Sequence, residues 1–295
     1  MRSNRRLRWA AIPVAAVMAL VLAGCTTDQL QGWLPTTAGT TNHVDSIIGL
    51  WVTSWIVLLI VGLIVWGLVI WACIAYRRRK GQTGLPVQLR YNMPIEIFYT
   101  VVPLILVLGF FAFTARDQAA IEAPTASPDV KIDVYAKRWA WDFNYIDQQN
   151  EDDSVYYQGI QAQELGDGNI DESQLPVLYL PVGKSVEIDL NSRDVAHSFW
   201  VVDFLYKKDT IPGKTNYMYF TPEKEGTFTG KCAELCGEYH SLMLFNVKVV
   251  SQSEYDDYLA TLAQQGNTGL LGDQYNTNTN EPNNEAPVAA GSDEK

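Results

Sequence analysis

The sequence is poor in basic side chains. Its 22 lysines and arginines stand against 33 aspartates and glutamates, which leaves a net charge of −11. Proteins that bind nucleic acid need a basic surface, so this balance argues against nucleic acid as a partner. An acidic surface suits a basic protein partner or simply solubility. The sequence also lacks internal repeats and any acid–base or nucleophilic constellation that would let this chain catalyse a reaction alone.

Histidine and cysteine are scarce as well, with three histidines and four cysteines in 295 residues. Cys73 lies within a long apolar run and is predicted to be a buried residue without a functional role. Two other cysteines share the segment "KCAELCGEYHSLM" (residues 231–243) with one histidine and one methionine. Because these residue types are so rare elsewhere, this segment is the main candidate for a functional site.

The first 24 residues predict an export signal of the lipoprotein type. Four arginines in the first eight residues are followed by an apolar stretch that ends in "LAGC". This ending resembles the bacterial lipoprotein box, in which the cysteine, here Cys25, is lipidated and becomes the new N-terminus. An ordinary signal or an uncleaved anchor with a chance cysteine is the alternative. Residues 25–46 then form an exterior N-terminal segment.

Two apolar runs predict a transmembrane hairpin. Residues 47–76 carry no charge and exceed the roughly 20 residues that span a bilayer. The run ends at "RRRK", which marks residues 77–93 as a cytoplasmic loop. The second run, residues 94–115, contains Pro103, which a membrane helix tolerates better than a soluble one. Both ends of this hairpin then lie outside a bacterial plasma membrane, and so does everything after it.

The remaining chain has the pattern of an all-β domain, predicted over residues 126–264. Short β-branched and aromatic runs, such as "VKIDVYAKRWAWDFNY", alternate with Gly and Pro turns, which is typical of a sandwich or barrel. An insert at residues 147–172 has eight acidic residues and no Lys or Arg. Residues 265–295 are rich in Asn, Thr, Glu and Pro and are predicted to be a disordered tail.

The candidate metal ligands are soft or imidazole donors with one carboxylate: His197, Cys232, Glu234, Cys236, His240 and Met243. An exported chain favours a disulfide between the two cysteines, but a disulfide has no need of His or Met. Zinc would accept two cysteines and two histidines, yet it has no use for a thioether. Mononuclear copper uses two His, one Cys and a weak Met, and a second thiolate here invites a second, bridged copper.

The chain resembles subunit II of haem-copper cytochrome c oxidases over most of residues 45–262. The resemblance rests on the motif C-x-E-x-C-x-x-x-H-x-x-M, which stands here at Cys232 to Met243, and on "DVAHSFW", which contains His197. It implies a fold class of membrane-anchored all-β, in which a two-helix transmembrane hairpin carries a cupredoxin-like Greek-key β-barrel. The implied cofactor is the dinuclear copper centre, CuA, with two Cu ions.

The resemblance also implies a role for each ligand. Cys232 and Cys236 would bridge the two coppers, His197 and His240 would each bind one, and Met243 would be a weak ligand. Glu234 would give its backbone carbonyl to copper. The Glu234 carboxylate would reach a Mg or Mn ion that is shared with subunit I, as hard oxygen ligands do.

Two residues outside the loop have implied roles. Alternation places Trp139 and Trp141 on one side of a strand. Trp141 is interpreted as core packing, whereas Trp139 matches the family's exposed residue at which electrons enter from cytochrome c. Ala140 replaces the tyrosine usual between them, so the aromatic patch is thinner here. Glu96 matches a glutamate at the mouth of a proton-uptake channel of subunit I.

The implied partners are subunits I and III of the oxidase, membrane lipid and an electron donor. A basic cytochrome c would be attracted by acidic residues near the motif: Asp194, Asp203, Asp209, Glu234 and Glu238. The acidic insert, the lipoprotein signal and the triple-Arg loop resemble actinobacterial forms. In those forms the donor is a cytochrome c domain of a bc complex, within a III–IV supercomplex.

The resemblance implies one-electron transfer to haem a of subunit I, where dioxygen is reduced to water with proton pumping. The first alternative is a membrane-anchored copper carrier or assembly protein. Against it, His197 comes from a strand distant from the loop, which implies a preformed cage. A quinol-oxidase-type subunit would have lost the ligands that this chain retains.

Overall fold

The computed structural model describes residues 26–36, 38–85, 88–161 and 172–276. The predicted export signal with Cys25 lies outside these ranges, and so does the chain after Asn276. Two compact units are distinguished: residues 1–34 with 48–84, and residues 35–47 with 85–295.

Helices α1 (Thr27–Leu30), α2 (Val44–Ala75) and α3 (Met93–Ile121) precede the strands. The apolar stretches of α2 and α3 are long enough to cross a bilayer, and their side chains are not buried within the chain. Cys73 is therefore exposed in the isolated chain, contrary to its predicted burial. Helix α3 runs six residues beyond the predicted end at residue 115, since no Gly or Pro interrupts "TARDQAAI".

The described residues of the β domain form ten strands in two five-stranded sheets. The strands are β1 (Val130–Lys137), β2 (Ala140–Ile146), β3 (Val155–Tyr157), β4 (Val177–Pro181), β5 (Val186–Ser192), β6 (His197–Val201), β7 (Tyr206–Thr210), β8 (Asn216–Phe220), β9 (Gly226–Cys232) and β10 (Leu244–Val250). The first sheet has the order β3-β2-β1-β5-β8, and the second has the order β4-β10-β9-β6-β7. Helix α4 (Gln252–Gln264) follows the last strand. The prediction of a membrane-anchored all-β fold with two apolar helices is confirmed.

The core lies between the two sheets. Alternate residues of β5 are buried, as expected when one face of a sheet packs inward. Four large aromatic side chains fill the centre: Trp141, Phe143, Phe199 and Phe245, with the rings of Phe199 and Phe245 stacked at 4.7 Å. This aromatic cluster adjoins the loop between β9 and β10, because Phe199 pairs with Cys232 at the end of β9 and Phe245 is the second residue of β10.

Residues 35–47 are bound to the β domain before α2 begins its long apolar stretch. Thr40 Oγ1 donates to the Asp203 carbonyl at 3.0 Å, and Thr41 forms a bridge with Pro222. The Nε2 atom of His43 lies 2.8 Å from the Tyr219 carbonyl. The histidine outside the candidate site thus has a structural role.

The acidic insert and the C-terminal segment depart from the predictions. Part of the insert forms β3, which pairs with β2, while residues 162–171 lie outside the described ranges. The prediction of disorder from residue 265 is wrong as far as Asn276. Leu271 and Asn276 are only 5% and 6% exposed, and the Gly269 amide donates to the Ser154 carbonyl at 2.8 Å. The polar composition of residues 265–276 gave no sign that backbone hydrogen bonds would hold this segment to the β domain.

A carboxylate pair on the outer face of the first sheet gives a pH prediction. Asp133 on β1 stands opposite Asp189 on β5, whereas Lys131 binds Asp189 and Glu187. Burial, with the nearby Asp189 charge, raises the pKa of Asp133 to about 7. Between its unfolded pKa near 3.9 and this value, the folded chain holds the extra proton. Stability should therefore fall as pH rises from about 4 to about 7, by roughly 2–4 kcal/mol.

The replacement Asp133→Asn should flatten this slope and raise stability above about pH 7. Urea unfolding of residues 126–276 across this pH range measures both effects. Asp257→Asn, at an exposed site on α4, is the control and should keep the wild-type slope. An unchanged slope in Asp133→Asn would contradict the assignment.

Candidate metal centre

Strand pairing brings the distant ligands together. Cys232 is the last residue of β9, and His197 is the first residue of β6. These two strands are antiparallel neighbours in which Phe199 pairs with Cys232. The loop from β9 to β10 supplies the other candidates, and His240 begins a short 3-10 turn before Met243.

Each cysteine contacts one histidine. Cys232 Sγ lies 3.9 Å from His197 Nδ1, and Cys236 Sγ lies 3.6 Å from His240 Nδ1. The two Sγ atoms are 3.8 Å apart, and Met243 Sδ lies 3.8 Å from Cys236 Sγ. Apart from His240, which is half-buried, these side chains are buried. The donor atoms thus form two Cys–His pairs that meet at their sulfurs.

The disulfide alternative does not describe this structure. Both cysteines are free, and their 3.8 Å separation far exceeds the roughly 2.05 Å of a sulfur–sulfur bond. The Glu234 carbonyl oxygen lies 3.2 Å from Cys232 Sγ, while the Glu234 side chain is exposed. The backbone and the carboxylate of Glu234 therefore have different surroundings.

The two thiols differ in acidity. Hydrogen bonding with Cys236, then with His197 and the backbone, lowers the pKa of Cys232. The neighbouring Cys232 thiolate and burial in turn raise the pKa of Cys236. Metals bind the thiolate form, so one ligand is already poised for binding, and the other loses its proton when the metal binds.

The residues present fit copper. The ligand atoms of His197, Cys232 and Cys236 all lie within 4.8 Å of one another. A zinc site would be complete without Met243, yet this thioether is fully buried against Cys236. Thiolate, imidazole and thioether donors together are the set that copper takes in proteins.

Asp194 supports the site in a way that the sequence analysis missed. Its Oδ1 lies 2.8 Å from His197 Nε2, and its Oδ2 accepts from the Arg138 amide at 2.8 Å. Burial alone would raise the pKa of Asp194, but the hydrogen bond with His197 and two backbone amides lower it. Asp194 is one of the acids predicted to attract a donor, and its carboxylate is largely buried. Its position three residues before a ligand histidine was the available signal.

Replacing Asp194 with asparagine should weaken copper binding by about 10–100-fold, since the partner of a ligand histidine fixes its ring and tautomer. Competition with a copper chelator measures this change. Asp209→Asn is the matched control among the nearby acids and should bind copper like the wild type. Equal affinity of wild type and Asp194→Asn would show that Asp194 does not hold His197.

The two tryptophans occupy different environments. Trp139 lies in the turn between β1 and β2, so the prediction that it shares a strand face with Trp141 is wrong. The Trp139 ring is half-buried and lies 5.0 Å from the Tyr239 ring. A Cβ on Gly237, whose φ is 123°, would lie 3.1 Å from Trp139. Trp141 is fully buried beside the His197 ring, as its interpretation as core packing requires.

Glu96 lies on a separate element. It occupies the first turn of α3, where its carboxylate accepts from the Asn92 amide at 2.9 Å. The Asn92 side chain accepts in return from the Ile95 amide at 3.4 Å. The two side chains cap the start of the helix.

The fold and the site define a class: a membrane-anchored, cupredoxin-like copper protein. Residues 130–250 match the family described as "Cytochrome C oxidase subunit II, periplasmic domain". A Streptomyces avermitilis protein named "Probable cytochrome c oxidase subunit 2" is 43% identical, with 92% of each chain covered. The "Cytochrome c oxidase subunit 2" of Corynebacterium diphtheriae is 31% identical, with 81% of this chain and 80% of that one covered. The chain belongs to the cytochrome c oxidase subunit II family.

A solved structure is similar to the β domain. It is the periplasmic domain of subunit II of cytochrome oxidase from Bradyrhizobium japonicum, 28% identical, with a TM-score of 0.41, covering 48% of this chain and 99% of that one. Family membership makes this chain a membrane-anchored subunit of a haem-copper terminal oxidase, which works in a complex with other oxidase subunits. The predicted resemblance to actinobacterial forms is confirmed.

Proposed function

We propose that this chain is the subunit through which electrons enter its oxidase. It accepts electrons from cytochrome c, or from a cytochrome c domain of a bc complex, and passes them to haem a of subunit I. Dioxygen reduction to water and proton pumping belong to subunit I. The observation that carries this proposal is the pair of Cys–His contacts joined across a 3.8 Å sulfur pair.

The loop residues would hold two copper ions. Cys232 and Cys236 would be shared by both ions, His197 and His240 would each bind one, and Met243 and the Glu234 carbonyl would complete the set. When bound, the dinuclear centre supplies a one-electron redox site in which the electron is shared over both metals. Burial of both sulfurs keeps bulk water from the ligands.

The residues around the ligands connect the site to its donor. Trp139 is partly exposed and reaches the loop through the Tyr239 ring, which directly precedes His240. Gly237 leaves room for this contact, because a side chain there would meet the Trp139 ring. Trp139 is therefore proposed as the residue at which electrons enter, and Tyr239 as its neighbour on the loop.

Further proposals concern the membrane and the partner subunits. The two apolar helices would both span a bacterial plasma membrane, with the β domain on the exterior side. Cys25 would carry lipid, and Glu96, at the start of α3, would stand at a proton-channel entrance of subunit I. The exposed Glu234 carboxylate is free to face a Mg or Mn ion shared with subunit I. Subunit III and a III–IV supercomplex complete the proposed assembly.

Copper reconstitution of residues 126–276 tests the proposal. Two coppers per chain are expected, with an electron paramagnetic resonance signal whose hyperfine structure comes from one electron shared over both nuclei. A single copper with an ordinary mononuclear spectrum would return the loop to a carrier or assembly role. Binding of zinc in preference to copper would return it to a structural role.

A further inference from the structure

The C-terminal strap, defined as residues 267–276, follows the family's matched region, which ends at residue 250. Its backbone is bound along the first sheet, where the Asn267 carbonyl accepts from the Tyr156 amide at 3.1 Å. The Leu271 side chain is buried. The strap is therefore packed against the β domain as an integral part of it.

One residue of the strap, Leu271, joins two separate elements. The Leu271 amide donates to Asn144 Oδ1 at 2.9 Å, and the Leu271 carbonyl accepts from Asn144 Nδ2 at 3.0 Å. The same carbonyl accepts from Arg193 Nη2 at 2.9 Å. Asn144 belongs to β2, and Arg193 belongs to the turn between β5 and β6. Leu271 thus fastens this turn to β2.

Arg193 depends on the strap for its burial. Its guanidinium is 3% exposed, donates to the Gly272 carbonyl at 2.9 Å and to Asp142 at 2.8 Å, and lies 4.1 Å from the Tyr135 ring. Buried guanidinium N–H groups need acceptors. Without the strap, the Arg193 N–H groups that donate to the Leu271 and Gly272 carbonyls would lose these acceptors. Arg193 would then have to move towards water.

The elements that the strap fastens are those that surround His197. Asp194 follows Arg193 directly and holds the His197 ring, while the Arg193 amide is tied to the Ala136 carbonyl at 2.8 Å. Strand β2 carries Trp141, whose ring lies 6.3 Å from that of His197. A shift of Arg193 would therefore displace the His197 ring, both through Asp194 in the turn and through Trp141 on β2.

We propose that the C-terminal strap is a positioning element for the metal centre, which acts through Arg193 and Asn144 to fix the turn that presents Asp194 and His197. Its effect on the copper ions rests on the proposed function. Its effect on the turn does not, because the contacts are made within this chain. The strap and Arg193 touch no ligand themselves.

The test uses the full chain in the purified oxidase complex. A chain that ends at Gly266 lacks the strap, and a chain that ends at Asn276 is its matched control. Arg193→Lys keeps the charge but loses the fork that reaches two carbonyls, and Asn144→Ala removes the contact from β2. Amide hydrogen exchange of residues 194–199 and copper loss to a chelator are measured, together with the copper electron paramagnetic resonance spectrum.

The strapless chain, Arg193→Lys and Asn144→Ala should exchange these amides about tenfold faster, with other strands unchanged. All three should lose copper about tenfold faster and show an altered hyperfine pattern, while the chain ending at Asn276 matches the wild type. Unchanged local exchange and copper loss would overturn the proposal, and so would a uniform rise in exchange over the whole domain. If the strapless chain does not assemble, the two point variants decide. A wild type without a dinuclear spectrum would refute the proposed function, and the exchange arm would still test the strap.

Discussion

Replacing Cys236 with serine is expected to abolish the dinuclear copper centre. Cys236 Sγ contacts Cys232 Sγ, His240 Nδ1 and Met243 Sδ, so its loss removes the sulfur contact that joins the two Cys–His pairs. A serine oxygen is a harder donor and a poor bridge between copper ions. The remaining pair, Cys232 and His197, should hold at most one copper. Electron transfer from cytochrome c should then fall by at least about 100-fold.

Copper analysis and electron paramagnetic resonance of the purified oxidase measure this loss. Cys73→Ser is the control, because this exposed cysteine of α2 lies outside the site. It should keep the copper content, spectrum and turnover of the wild type. A Cys236→Ser oxidase that retains two coppers with a shared electron would show that the two sulfurs do not bridge.

Replacing Asp142 with alanine is expected to destabilise the β domain by about 3–5 kcal/mol. Asp142 and Arg193 form an ion pair at 2.8 Å, with side chains only 2% and 3% exposed. Asp142 also accepts from Lys137 Nζ at 2.7 Å and from the Gly159 amide at 3.0 Å. Its removal leaves a buried guanidinium without its anion, which costs far more than the pair itself contributes. Urea unfolding of residues 126–276 measures the loss.

The exposed pair of Lys184 with Asp129, at 3.6 Å, provides the control. Lys184→Ala should change the free energy of unfolding by less than about 1 kcal/mol, because solvent screens an exposed pair. A similar small change in Asp142→Ala would mean that Arg193 finds water or another acceptor when its partner is lost.

Sequence reasoning predicted the parts of the molecule that depend on local pattern. The run at residues 47–76 is uncharged and largely apolar and the residues of "VEIDL" alternate between apolar and polar, and each pattern matches one kind of secondary structure. Helix α2 and strand β5 were therefore predictable. The ligand set of the loop was predictable for a different reason. Cys, His and Met are otherwise rare here, and their spacing within one loop carries its own chemistry.

The features that the sequence did not reveal depend on contacts between distant residues. In the sequence, Asp194 looks like any aspartate at a protein surface. Only the fold brings its carboxylate to the His197 ring. The polar strap after α4 has the composition of a tail, but Asn144 and Arg193, more than 75 positions earlier, supply its hydrogen bonds. Hydrogen bonds of the backbone do not depend on side-chain type, so the hydropathy of a segment does not predict them.

The pairing of β6 with β9 also sets an order of assembly. During synthesis His197 is made before Cys232, and the two ligands meet only when β9 has joined β6 in the second sheet. Strand β9 in turn pairs with β10, which follows it along the chain. A nascent chain that has not reached Val250 therefore keeps His197 apart from the ligands of the loop, and this incomplete set binds metal weakly while its free thiols oxidise readily. The ligand set is complete only in the folded β domain, so a copper donor that fills the complete site would have to recognise the folded domain.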